Sequence, residues 1–174
     1  MEFRFLGNNL AVDFVNTEVM SQQSKLNLIN TPDSLSSWFC AAGLAQSLLF
    51  QDQTVRAAGQ LHGAVRRCFD RLVGKKSLAQ ADLALLNKQS NKLRIFLTAD
   101  KDGYCLLHQM HGATDALALV ARRDCELLAS AQSASLHRCA NRRCILYFVD
   151  ISKNQQRQWC SMEVCGNRNK AHKH

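Results

Sequence analysis

Four cysteines near the C-terminus carry the clearest chemistry in this chain. Cys139 and Cys144 are separated by four residues, as are Cys160 and Cys165, and fifteen residues lie between the pairs. Thiolate sulfur is a soft donor, and four of them in a tetrahedron close a structural Zn²⁺ site. Two short turns can supply those ligands if the chain between them folds back. Here Ile145, Leu146, Tyr147, Phe148 and Val149 make a short strand and residues 150–154 a turn. A helix can then begin near Ser152 or at Cys160. The competing reading is four buried thiols without a metal. These cysteines, however, stand among Arg, Asn and Gln rather than along an apolar stripe. His137, His172 and His174 are further donors, which a site with four sulfurs does not need. The remaining cysteines, Cys40, Cys68, Cys105 and Cys125, each lie singly beside apolar residues and read as small core side chains.

Charge is concentrated in the same region. The formal net charge is +8, and from Leu136 onward eight basic residues face only Asp150 and Glu163. Zinc bound by four thiolates carries −2, so part of this excess offsets the cluster. Two or three cations suffice for that. Eight of them point to an anionic partner, and a nucleic-acid phosphate backbone is the leading one. Arg157, Arg168, Lys170 and Lys173 are the first phosphate candidates, with Arg142 and Arg143 next. Arg168 is also placed to hydrogen-bond around the thiolates.

The elements that must position these groups are mainly helices. Of the 174 residues 47% are apolar and 21% charged, with one proline and eight glycines. That is a soluble globular composition and not a loop-rich all-β one. Asn8 or Asn9 caps a first helix over residues 9–18. Residues 21–25 are polar loop, and 26–29 are extended. Thr31-Pro32-Asp33 is a helix start, with Thr at the cap and Pro in the first turn, and Gly43 is the stop. Asp52 opens a longer helix through Val73, and another runs from Leu78 to about Ser90. Alternation at Leu93, Ile95 and Leu97, then turn chemistry from Asp100 to Gly103, predicts a β-hairpin returning to Gln109. Thr114 caps a last helix to about Ala131.

The result is an α+β, mostly helical protein. Residues 1–134 form a helical domain with one β-hairpin. Residues 135–174 form the four-cysteine zinc finger, strand and turn followed by helix in a treble-clef-like manner. Nothing near the N-terminus reads as a charged leader before a long apolar run, and no stretch reaches the roughly 18 residues of a membrane span. A cytoplasmic setting, where thiols stay reduced, is expected.

Several fixed-offset motifs carry a resemblance. Cys139 and Cys144, Phe148, Asp150, Ser152-Lys153-Asn154, Arg157, Trp159-Cys160-Ser161-Met162, Cys165-Gly166-Asn167-Arg168 and Lys170 resemble the CGNR zinc-finger family. Gly7 and Leu10-Ala11-Val12-Asp13-Phe14-Val15-Asn16-Thr17, with Leu35 and Trp38, resemble the opening of the ABATE domain, which commonly precedes that finger. The resemblance implies a bacterial, stress-induced transcription regulator with one structural Zn²⁺ and a DNA-binding finger. Where the family tends to have two basic residues before the Trp, this chain has Arg157-Gln158. In the finger, Gly166 suits a close approach beside the last ligand. Asn167 is expected to hydrogen-bond the backbone around the site, and Asp150 and Asn154 to organise the turn.

Asp13, Asn16 and Thr17 are polar residues inside an apolar segment. They read first as caps and a buried structural network, and second as part of a pocket for a small-molecule effector. The leading function is therefore a transcription regulator with an N-terminal sensing or dimerising domain, a homodimer being compatible with that. A zinc-stabilised RNA- or protein-interaction module is the alternative, as is a zinc-thiolate redox switch. No phosphate loop, nucleophile elbow or H-E-x-x-H is present, and a site closed by four thiolates leaves no position for water, so no enzyme is expected.

Overall fold

The computed structural model describes residues 3–44, 48–101 and 103–171. At its centre is a helix of only six residues, α1 (Leu10–Val15), in which every residue from Ala11 to Val15 is buried. Asn9 caps it, its side chain accepting from the Ala11 amide at 2.9 Å. The helix stops early because the next side chains compete for backbone partners. Thr17 Oγ1 donates to the Phe14 carbonyl at 2.6 Å, and Asn16 is committed elsewhere. The helix expected to reach residue 18 thus gives way to strand β1 (Glu18–Ser21), which pairs antiparallel with β2 (Ser24–Asn27). The loop expected over residues 21–25 is the tight turn of this hairpin. Gln22 and Gln23 both take positive φ, 45° and 71°, as a two-residue hairpin turn requires. Neither is Gly or Asn, so the sequence carries no turn signal there.

Around α1 pack α2 (Pro32–Ala41), α3 (Asp52–Val73), α4 (Gln80–Ser90) and α5 (Ala113–Ala129). In α2, Thr31 and Ser34 exchange side-chain and backbone hydrogen bonds as a capping box, and Gly43 beyond the helix has φ of 73°. One face of α3 buries Leu61, Val65, Cys68 and Phe69, while α5 buries Leu117, Val120, Ala121 and Leu127. Phe14, Trp38 and Phe39 form edge-on aromatic pairs with centroids 4.9–5.3 Å apart. At about 1.5–3 kcal/mol for each large apolar side chain buried, these faces account for most of the fold's driving force. The expected hairpin is present as β3 (Arg94–Asp100) and β4 (Gly103–Gln109), with Leu97 opposite Leu106.

The C-terminal part contains β5 (Leu136–Arg138) paired with β6 (Tyr147–Val149), a wide helical turn (Met162–Gly166) and α6 (Asn167–Ala171). Among the described residues no helix is long and apolar enough to cross a membrane.

Candidate metal centre

Two turns present the four sulfurs. The first follows β5: the Cys139 amide donates to the Leu146 carbonyl at 2.9 Å and that of Cys144 to Asn141 at 2.8 Å. Cys139 and Cys144 therefore flank a knuckle that leads into β6. Asn141 ties this knuckle down, accepting from the Arg143 amide and donating to the Cys165 carbonyl at 3.3 Å. The second turn is capped by Ser161, whose carbonyl accepts from both the Cys165 and Gly166 amides. Gly166 sits close under Met162, which would have to shift to admit a side chain. A Cβ would stand 2.4 Å from Met162 Sδ and 3.3 Å from the Trp159 ring. The Ala140 amide, bonded to the Gln158 carbonyl at 2.9 Å, holds the two turns together.

All four sulfurs lie within 4.8 Å of one another. Zinc–sulfur bonds of about 2.3 Å in a tetrahedron set the sulfurs about 3.8 Å apart. Cys144 and Cys160 are separated by 3.7 Å, and Cys160 and Cys165 by 3.6 Å. Binding zinc takes all four sulfurs as thiolates. Hydrogen bonds from Cys144 and Cys160 draw the Cys139 thiol well below the usual range, and the donors are pushed up in turn. Four charges cannot coexist so closely unless a metal neutralises them. Cys139, Cys144, Cys160 and Cys165 accordingly hold one structural zinc ion, with no position left for water. The Cys160 amide, 3.5 Å from Cys139 Sγ, supplies a supporting N–H···S contact.

Residues 135–174 match the CGNR zinc finger, and residues 8–131 match the ABATE domain, whose description is "putative stress-induced transcription regulator". The chain belongs to the ABATE family. No match is found among curated proteins.

In this ABATE protein the finger is not a separate bead. Along β6 the side chains alternate: Phe148 joins the zinc cluster, whereas Tyr147 and Val149 enter the main core. The backbone of β6 is completed by the N-terminal segment. Asn16 donates to the Tyr147 carbonyl at 2.9 Å and accepts from the Tyr147 amide at 2.8 Å. Gly7 accepts from the Val149 amide, and Asn8 donates to the Val149 carbonyl. Asp13 fixes Gly7 in turn, accepting from its amide at 2.7 Å. Burial lifts the Asp13 carboxyl to about 6, although the Gly7 and Leu6 amides and Arg157 pull it down. Gly7 has no room for a side chain, since a Cβ would sit 2.6 Å from Val12 Cγ1.

These contacts give Asp13, Asn16 and Thr17 the structural role that was the first reading of them. All three are occupied as caps and brackets, because buried polar groups inside an apolar core must find partners. Asn16 also lines a cavity of about 280 Å³ beside the finger, and its amide is already paired.

Arg157, one of the phosphate candidates, has a structural role in the fold. Its guanidinium donates to the carbonyls of Trp159, Leu6 and Cys160 and lies 4.3 Å from the Phe148 ring centroid. Three of its five N–H groups are committed in this way, so Arg157 clamps the finger to the N-terminal segment. Replacing it with Ala leaves up to three carbonyls short of a donor, and we expect a loss of about 2–4 kcal/mol. Urea unfolding measures this, and Arg157→Lys should restore only part of it because a lysine cannot fork.

Arg142, Arg143 and Arg168 are exposed. Lys170 is in α6, and Lys173 lies outside the described residues. Asn167, also exposed, leaves the bracing of the ligand turns to Asn141, which composition alone did not single out. Asp150 does organise its turn, accepting from the Ser152 and Arg157 amides at 2.9 and 2.8 Å. Of the other cysteines, Cys68 is buried as expected, with burial pushing its thiol up to about 12. Cys40 and Cys105 are exposed, so they are not core residues.

Proposed function

We propose that this protein regulates transcription by binding duplex DNA through the phosphate-facing surface of its zinc finger. One observation carries the reading. Arg143 and Arg168 of the finger line the same cavity as Arg4 of the N-terminal segment. Among the described residues none of the three guanidiniums takes part in an ion pair. With exposed Arg142 nearby in sequence, four cations outweigh the −2 of a thiolate-bound zinc and leave this face positive. Arginine forks match phosphate oxygens bidentately, and base-independent phosphate contacts position a protein on DNA. Arg4 escapes a sequence reading because nothing local links it to the finger.

The zinc in this reading is structural and the protein binds rather than catalyses. Its setting is cytoplasmic, and the helical domain is the regulatory part. If three or four phosphates are contacted, log affinity should fall with log salt at a slope of about −3 to −4. Arg143→Ala with Arg168→Ala should reduce that slope by about 2 and weaken all sequences alike. Fluorescence anisotropy with the zinc-loaded full chain and labelled duplex measures both. Absent binding, or binding indifferent to salt, would sink the proposal.

A further inference from the structure

The β3–β4 hairpin leaves an apolar face uncovered, and we propose that a second copy of this chain covers it, making the protein a two-fold dimer through the hairpin. The register places Leu97 opposite Leu106 and Ala99 opposite Tyr104, with Ile95 opposite His108. Side chains alternate across a strand, so Ile95, Leu97, Ala99, Tyr104 and Leu106 share one face. The base of that face is covered: Ile95 packs with Leu93, Leu119 and Met110 against α5. Its outer part is not covered among the described residues. Leu97 is 71% exposed, Leu106 64% and Tyr104 84%, while Phe96 and Leu107 on the reverse are about half exposed.

Such an arrangement is unfavourable in a monomer. A lone two-stranded hairpin is marginal in water, and a contiguous apolar patch of this kind normally marks an interface. The strand edge is equally unguarded, since β4 contains no Lys, Arg, Asp, Glu or Pro.

Charge and area select a second copy as the occupant. Arg94 and Lys101 balance Asp100 and Asp102 in residues 94–109, so this segment is neutral within a chain of net charge +8. Two such basic chains can therefore meet here without local repulsion. An acidic partner or anionic membrane would find no complementary charge. Leu97, Tyr104 and Leu106 expose roughly 400–500 Å² per copy, so mutual burial approaches the ~1,000 Å² of a specific interface, before the reverse face contributes. An isologous contact needs only one self-complementary patch, which this face is.

The inference does not depend on DNA binding. Sedimentation velocity on the zinc-loaded full chain from about 1 to 100 µM tests it without nucleic acid. Wild type should sediment as a dimer. Leu97→Lys with Leu106→Lys should be monomeric, its self-association weakened at least ~100-fold, with zinc content and helical signal unchanged. Tyr104→Ala gives an independent reading and should weaken the dimer without adding charge. A wild type that stays monomeric at the highest concentration overturns the proposal, including one that binds neutral lipid vesicles through this hairpin. So does a lysine variant that remains dimeric.

Discussion

Stripping the zinc, or replacing Cys160 with Ala, is expected to unfold the finger and also to weaken the helical domain that precedes it. The finger has no means of folding alone. Its cluster of buried residues has five members, and three of them are the ligands Cys139, Cys160 and Cys165. Structural zinc contributes about 10–16 kcal/mol of apparent binding energy in small modules, which here has to replace a core. The less local part of the effect comes from β6. Once the finger opens, Tyr147 and Val149 leave the main cluster, and Asn16 loses both of its partners. Two side chains at about 1.5–3 kcal/mol each make 3–6 kcal/mol, or roughly 10–20 °C in Tm for a chain of this size. Trp38 sits in the main core and Trp159 in the finger, so a Trp159→Phe variant reports the core alone. Chelator should lower the Trp38 melting transition by that amount. A transition at the same temperature with and without metal would show that the finger is mounted on the domain rather than built into it.

The second large effect concerns Asp124. This side chain on α5 is fully buried, and neither of its carboxylate oxygens has a hydrogen-bond partner among the described residues. Burial alone raises it to about 8. The sign of its contribution follows from proton uptake. Between about 4 and 8 the folded state holds a proton that the unfolded state has released, so stability falls as pH rises through that window. At pH 7 the cost is of order 4 kcal/mol, at 1.36 kcal/mol for each unit between the unfolded and ambient values. Asp124→Asn keeps the shape and removes the titration. It should therefore be more stable than wild type by up to that amount at pH 7–8, and the gap should close toward pH 4. His62 titrates with the opposite sense: burial, then Arg66, depresses it to about 4, so both proteins lose its contribution as pH falls from about 6.5. Comparing the two chains at each pH cancels that term. A pH-independent difference in denaturant midpoint, or a less stable Asn variant at pH 8, would show that Asp124 is not carrying an uncompensated burial cost.

What the sequence determined by itself was local. The ligands were legible because metal chemistry depends on residue type and spacing, and two C-x4-C pairs state both. Helices α2 and α3 were legible through Thr31-Pro32, Gly43 and the apolar spacing of Leu61, Val65 and Phe69, and β3–β4 through alternation ahead of Gly103. The hairpin β1–β2 was hidden because Gln22 and Gln23 adopt positive φ with no residue that advertises it. Only the tertiary structure decided what the polar and basic residues do. Arg157 and Arg168 look alike in a charge count. Arg157 is tied to carbonyls that include Leu6, 151 positions away, whereas Arg168 stays exposed beside Arg4. Asp13 and Asn16 became brackets for β6, because a strand 131 residues later needed its backbone groups satisfied. Spacing fixes which atoms can share a metal. Which distant carbonyl meets a given guanidinium is settled only when the two parts pack, since buried polar groups take whichever partners the packing leaves within reach.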